Sequence, residues 1–397
     1  MGDRFTRRKF IASSAAASLV GVTGCSSLTG GNTSRPADSG GDATGRRAAA
    51  PRTTVDQSEL EPLDVRGAIY IPARAFNFYQ QWAEYDREVI ERDLGYASRV
   101  NLNAIRTWTS LEVWREEPEA LRERIEHFLS TADDNGQQVL LGLFDFAGKE
   151  PTRERLHDTD PRSATGVREP SSKIARNERL WDEPREYVRW FMEHFGDDDR
   201  LLAIEVMNEP GWQSHYQEFA HGMYKTADEL QGDARLTIGS TSMANNADYV
   251  DWDVDALQFH YNFAESPAVY MDMLRSNRDI AEDLDVPVWL SEWQRVRHST
   301  GFATEPPDDQ KYSNYSSLAP LIHEAGFGNF FWSLMVQPAF VPAQRQHGVL
   351  NGLFHEDGAV WSLDDARAIK AMSGDPSFDG EERQQWPEWA AAVKDGS

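Results

Sequence analysis

Cysteine is almost absent: among 397 residues only Cys25 carries a thiol. No intramolecular disulfide can form, and cysteine-rich zinc or iron–sulfur sites are excluded. Lysine is nearly as scarce, with seven against 33 arginines. With 65 acidic residues the formal net charge is −25 and the pI near 4.8. Such a chain has no basic field with which to neutralise phosphates, so nucleic acid is excluded as a partner. No apolar run approaches the roughly 20 residues a bilayer-spanning helix needs. No glycine-rich phosphate loop follows the first strand-like run, which argues against a dinucleotide site. What is present is apolar and aromatic: 40% hydrophobic residues, 11% aromatic, 13 tryptophans. That supports a sizeable core and excludes a wholly disordered chain. The acidic, arginine-over-lysine balance resembles proteins of salt-loving microbes, whose surface carboxylates stay hydrated while salt screens their repulsion.

The beginning of the chain reads as an address. Thr6-Arg7-Arg8-Lys9-Phe10-Ile11 is a twin-arginine pattern, and a mild apolar stretch follows over 11–22. It ends at Val22-Thr23-Gly24-Cys25, which resembles a lipobox. Residues 1–24 are therefore expected to direct export of the folded protein, with a lipid on Cys25 as the only membrane contact. Residues 25–63, rich in Gly, Ser, Thr, Pro and Asp without apolar periodicity, read as a flexible tether. Residues 64–374 have the length of one barrel-sized domain. The tail, 375–397, holds Trp386 and Trp389 and is expected to dock on the body.

Eight short apolar runs recur through the body, at 67–71, 104–108, 139–144, 202–207, 236–239, 256–259, 288–290 and 329–334. Helical spacing appears between them, as in Leu121, Ile125, Phe128 and Leu129, or Tyr187, Trp190, Phe191 and Phe195. Pro118 and Pro184 stand where helices open. Eight β-then-α units over this length predict a parallel (β/α)8 barrel, with an open doubly wound sheet as the alternative. Working residues of a barrel lie at the C-terminal strand ends.

Two carboxylates stand at such ends. The fourth run leads into Met207-Asn208-Glu209-Pro210, and the seventh into Leu290-Ser291-Glu292-Trp293. Paired acids across a barrel mouth suit cleavage of a glycoside with retention, which needs a nucleophile and a general acid/base about 5–5.5 Å apart. Their mutual repulsion raises one pKa and keeps that acid protonated. Glu205, two pleats below Glu209, reads as a buried structural acid paired to a base.

With these motifs, and with Asn103-Ala104-Ile105-Arg106-Thr107-Trp108 and Leu353-Phe354-His355-Glu356-Asp357-Gly358, residues 65–370 resemble clan A of the retaining glycoside hydrolases. The nearest resemblance is to the cellulase-like family 5. It implies an endo-β-1,4-glycanase-like hydrolase of mannan, cellulose or xylan, with Glu209 as acid/base and Glu292 as nucleophile. It further implies Asn208 on the sugar 2-hydroxyl, Arg106 holding Glu292 ionised, His260 lining the pocket and Trp332 beneath the sugar. The family spaces its strand-six pair as His-x-Tyr, whereas this chain has His260-Tyr261-Asn262. Period-two alternation turns Tyr261 away from His260 unless the strand kinks, leaving Tyr261, Asn262 or a loop aromatic to touch the nucleophile.

The polar segments 145–181 and 336–360 are long enough to wall a cleft, with Trp181 on the first, and Trp108 and Trp293 are open to stacking on sugar or to core packing. His347 and His355 lie eight apart with no carboxylate cluster at ligand spacing, so neither a catalytic metal nor a cofactor is expected. Two rival readings use the same barrel: a non-catalytic surface lipoprotein that captures oligosaccharides, and a transglycosylase.

Overall fold

The structure is a computed structural model that describes residues 60–211, 214–262, 266–284, 286–294, 314–346 and 348–394. The twin-arginine stretch, Cys25, nearly all of the tether and His347 lie outside these residues.

Eight strands form one sheet: β1 (Arg66–Ile69), β2 (Ala104–Trp108), β3 (Gln138–Gly142), β4 (Leu201–Asn208), β5 (Leu236–Gly239), β6 (Leu257–His260), β7 (Val288–Gln294) and β8 (Gly328–Trp332). Their order is β5-β4-β3-β2-β1-β8-β7-β6, with every pairing parallel. A parallel bridge between Thr237 and Ala256 joins β5 to β6 and closes the ring. This is the (β/α)8 barrel that the eight apolar runs predict, and it removes the open-sheet alternative. Side chains fill the interior and helices cover the outside, so β2 and β4 are buried along their whole length.

The covering helices are α1 (Arg87–Arg99), α2 (Pro118–Asp134), α3 (Asp182–Phe195), α4 (Ser214–Asp228), α5 (Asn246–Asp251), α6 (Pro267–Glu282), α7 (Tyr315–Ala325) and α8 (Leu363–Ala371). Pro118 is placed in the first turn of α2, where its missing N–H costs nothing. Leu121, Ile125, Phe128 and Leu129 form the buried stripe of α2, as their spacing requires. In α3 the stripe is Tyr187, Phe191 and Phe195, with Trp190 only half-buried.

Two strand ends differ from their apolar runs. Strand β7 continues past Leu290 through Ser291, Glu292 and Trp293, so Glu292 is a strand residue rather than the first loop residue. Its register shifts against β6 after Phe259 and against β8 after Leu290. Such irregularities re-aim side chains at barrel rims. Beyond the strands, the tail is tied down: Val360 bridges Glu382, and Trp389 packs edge-on against Phe76 at 6.3 Å.

Candidate active site

The mouth of the barrel is organised by one buried cation. Arg106, fully buried on β2, donates from Nε and Nη2 to the two carboxylate oxygens of Glu205 on β4, both at 2.9 Å. Trp108 Nε1 and Gln258 Nε2 complete the shell of Glu205 at 3.1 Å each. The indole of Trp108 lies under the guanidinium at 4.3 Å. Charged groups taken out of water demand this completeness of pairing. The remaining protons of Arg106 point at the mouth: Nη2 to Asn208 Oδ1 at 2.8 Å, and Nη1 to Ser291 O at 2.9 Å and Glu292 Oε2 at 3.3 Å. One guanidinium thus ties β2, β4 and β7 together.

Glu209 follows β4 with φ +48°, a left-handed conformation uncommon outside glycine. Strain of this sort, of order 1–3 kcal/mol, persists where the surroundings over-determine it. Here the Glu209 N–H is held by Gly239 O at 2.7 Å, and Pro210 follows. Gly239 is required for close approach. A Cβ there would lie 2.7 Å from both Asn208 Oδ1 and Glu205 Oε1.

His260 Nδ1 is 2.7 Å from Glu209 Oε1 and 3.6 Å from Glu292 Oε2, and its Nε2 faces Arg106 Nη2 at 3.4 Å. The Glu209 carboxyl at 2.7 Å places an imidazole proton on Nδ1, which donates to it. Glu209, His260 and Glu292 each present an atom within 4.8 Å of the others. The same three atoms form a cluster that could hold a cation.

Burial drives both carboxyls upward. At Glu209 the hydrogen bond from His260, the charge of that imidazole and Arg106 outweigh burial, and the carboxyl lies below the usual glutamate range. At Glu292 burial prevails over His260, Arg106 and Asn262, the charge of Glu209 adds to it, and the carboxyl lies above that range. Two acids this close titrate as a pair holding one proton between them.

The structure brings together Glu209, Glu292, Asn208, Arg106 and His260, and Glu205 is the buried acid of an ion pair, as its pleat position suggests. Trp332 ends β8 half-buried, with Phe340 edge-on at 5.1 Å. Tyr261 does not join them. Its ring stacks on Tyr270 of α6 at 4.7 Å, while Asn262 Nδ2 donates to Glu292 Oε1 at 2.8 Å. Strict alternation after His260 sends Tyr261 outward and returns Asn262 to the mouth, correcting the placement of Tyr261.

Three tryptophans are core rather than sugar platforms. Trp108 serves Glu205, Trp293 Nε1 donates to Asn329 Oδ1 at 2.9 Å, and Trp181 Nε1 donates to Ile174 O at 3.0 Å. The two long segments do meet: Arg345 donates to Pro161 O at 2.9 Å and to Ala164 O, with its guanidinium over Phe76.

One mouth residue went unread in the sequence. Asp145, just past β3, accepts from Asn208 Nδ2 and from the Ala147 N–H, both at 2.9 Å. It is the first polar residue after an apolar run, and the strand-end rule points to it.

No protein-family model matches the chain, and no curated protein matches it. Solved structures do resemble it. One is the exo-β-1,4-mannosidase of Opitutaceae bacterium strain TAV5, with 15% identity, TM-score 0.58, and coverage of 81% of this chain and 62% of that one. The chain thus spans under two thirds of that mannosidase. Another is a GH5_18 protein of Streptomyces cattleya, solved with GlcNAc, with 13% identity, TM-score 0.56, and coverage of 81% and 83%. A third is the endo-β-1,4-mannanase of Thermotoga petrophila, with 14% identity, TM-score 0.51, and coverage of 79% and 77%. At these identities the shared property is the barrel.

Proposed function

We propose that this chain is a retaining β-glycoside hydrolase of the family 5 kind, acting on β-1,4-linked, mannan-type substrates. The observation that carries the reading is the closeness of Glu209 and Glu292: an oxygen of each lies within 4.8 Å of the other, nearer the spacing of a retaining pair, about 5–5.5 Å, than that of an inverting one, about 6.5–9.5 Å. Glu292 attacks the anomeric carbon while Glu209 protonates the departing oxygen. Glu209 then takes a proton from water, which displaces Glu292 from the glycosyl-enzyme. The division of roles follows the donors. Glu292 receives two N–H groups, one of them cationic, which suits a carboxylate that must stay charged to attack. Glu209 touches the exchangeable proton of His260. His260 Nδ1 stands between the two acids, 2.7 Å from Glu209 and 3.6 Å from Glu292. Asn208 is placed on the 2-hydroxyl and Trp332 under the ring. No cofactor enters this scheme.

Mannan is favoured over cellulose and xylan because the similar solved structures are described as mannosidases and mannanases. The same proposal puts the enzyme outside the cell, supported by the twin-arginine pattern and lipobox of residues 1–24 and by the long tether. The test is sugar release from mannan, carboxymethylcellulose, xylan and mixed-linkage glucan in about 2–4 M salt, where surface charge is screened. Wild type should release sugar from mannan with retained configuration, and Glu292→Ala should not. Inverted product sinks the mechanism. Silence of a folded wild type on every polymer favours the oligosaccharide-capturing lipoprotein, and products longer than the substrate favour transglycosylation.

A further inference from the structure

The amide of Asn208 is held at both ends. Oδ1 accepts from Arg106 Nη2 at 2.8 Å, and Nδ2 donates one of its two protons to Asp145 Oδ1 at 2.9 Å. The second N–H of Nδ2 makes no hydrogen bond among the described residues. Arg106 and Asp145 together make a flipped amide costly, since flipping would set oxygen against the Asp145 carboxyl and N–H against the Arg106 guanidinium, and Asp145 is the partner that fixes the Nδ2 end.

Asp145 is itself held by backbone on two sides. Its N–H donates to Glu169 O at 2.8 Å and its carbonyl accepts from the Glu169 N–H at 2.9 Å. Phe144 O and Phe146 N meet the backbone of Asn208 at 2.8 and 3.0 Å, so Asp145 sits one bridge across from the residue it grips. Its Oδ1 also accepts from Ala147 N–H, which fixes the carboxyl in plane, while Oδ2 makes no hydrogen bond among the described residues. The carboxyl is largely buried at the mouth, and burial pushes it up to about 8, with the charges of Glu209 and Glu292 adding to it. A third acid in this place is an electrostatic cost to the pair, and packing does not explain it.

We propose that Asp145 is a positioning residue, which fixes the Asn208 amide so that its unspent N–H meets the sugar hydroxyl next to the anomeric carbon. The inference rests on the hydrolase reading above and extends it to a residue outside the paired acids. Hydrogen bonds to that hydroxyl tighten in the oxocarbenium-like transition state, so a loosened amide lowers kcat more than it raises KM.

The test is a cycle of enzyme against substrate: wild type and Asp145→Ala, each with an aryl β-mannoside and with its 2-deoxy analogue. On the parent glycoside Asp145→Ala should lose about 10- to 100-fold in kcat/KM, the size of one hydrogen bond involving a charged group. On the 2-deoxy glycoside, which offers nothing to Asn208, the loss should shrink to less than about 3-fold. Asp145→Asn keeps the acceptor oxygen and should remain within about 3-fold of wild type on both. Where Asp145→Ala melts early, Asp145→Leu, of the same branching and without an acceptor, carries the same cycle. Equal losses on both glycosides, or no loss on either, overturn the role of Asp145 while leaving the hydrolase standing. A wild type inert on the glycosides and on every polymer overturns the hydrolase reading, and this inference with it.

Discussion

Glu205→Gln is the substitution whose consequence the structure sizes most directly. Glu205 accepts four hydrogen bonds, two from Arg106 and one each from Trp108 and Gln258. A glutamine of the same shape has one acceptor oxygen. Whichever way its amide turns, its NH2 confronts two donors at about 3 Å, and Arg106 loses its bidentate counter-charge while still fully buried. Breaking a buried pair from one side costs about 3–5 kcal/mol. For a chain of this size, at roughly 2 °C per kcal/mol, the melting temperature should fall by about 6–10 °C. The second arm is the double variant Glu205→Met with Arg106→Met. It removes both charges, replaces them with flexible apolar volume, and should recover at least half of the lost stability. It should stay inactive, because Arg106 also holds Asn208 and Glu292. The assay is thermal unfolding with activity at fixed high salt. A Glu205→Gln protein melting within 2 °C of wild type, or a double variant no more stable than the single one, would show that this ion pair is not what fixes the mouth.

Four further outcomes follow from the site. Asn262→Ala removes a donor to the ionised form of Glu292, so the Glu292 pKa should rise further and the acid limb of the kcat profile should move to higher pH; Tyr261→Phe, changing a ring stacked on Tyr270, should leave the profile in place. Gly239→Ala, with a Cβ directed at Asn208 and Glu205, should cost more than about 100-fold in kcat, and an active variant would contradict the close approach. Zinc should inhibit competitively through Glu209, His260 and Glu292, with EDTA restoring activity; indifference to zinc would place those atoms further apart than the structure does. Glu169 is pushed up to about 8 by burial and by the charge of Glu112, against bonds from Glu112 N–H and Ser110. The folded protein thus keeps a proton that the unfolded chain has released, and stability present below pH 4.5 is lost as pH rises toward 8. Glu169→Gln should flatten the decline of melting temperature between pH 5 and 8, and an unchanged slope would assign the loss to other groups.

The barrel was legible because both faces of its strands are covered, so each strand survives in the sequence as a short apolar run that turns do not interrupt. β2 and β5 match their runs residue for residue, and Glu209 and Glu292 were recoverable because a charged residue two places past the end of such a run has few structural excuses. The departures have one physical origin: the end of a strand is defined by hydrogen bonds, which composition does not record. Strand β7 goes on pairing through Glu292 to Gln294 despite its polar residues, with a register shift on each side. The tryptophans were ambiguous for a related reason. An indole is equally at home under a sugar or beneath a buried carboxylate, and only the partner of Nε1 distinguishes the two, as Glu205 does for Trp108 and Asn329 for Trp293. Asp145 was overlooked because it belongs to no motif; its significance lies in Asn208, 63 residues away in sequence.

Taken together, the mouth places Asp145, Glu205, Glu209 and Glu292 around one guanidinium and one imidazole. Glu205 is paired with Arg106, and among the other three carboxyls the connections bias where charge sits. Arg106 is committed through two parallel bonds to Glu205, which leaves it a single longer contact of 3.3 Å for Glu292. On the proposed mechanism a bidentate Arg106–Glu292 pair would oppose the loss of charge that forming the glycosyl bond requires, and Glu205, by engaging Arg106, would relieve it. Asn262 meets the other oxygen of Glu292 at 2.8 Å. The expected consequence is an alkaline limb at higher pH than that of an isolated carboxyl pair, since Asp145, pushed up to about 8, adds a negative charge beside Glu209 and Glu292 as it deprotonates and so favours the protonated form of the acid. Asp145→Asn removes that third titration without removing the acceptor for Asn208. It should move the alkaline limb of kcat/KM to lower pH while leaving the value at the optimum within about 3-fold, and an alkaline limb that does not move would mean that Asp145 never enters the proton balance of the pair.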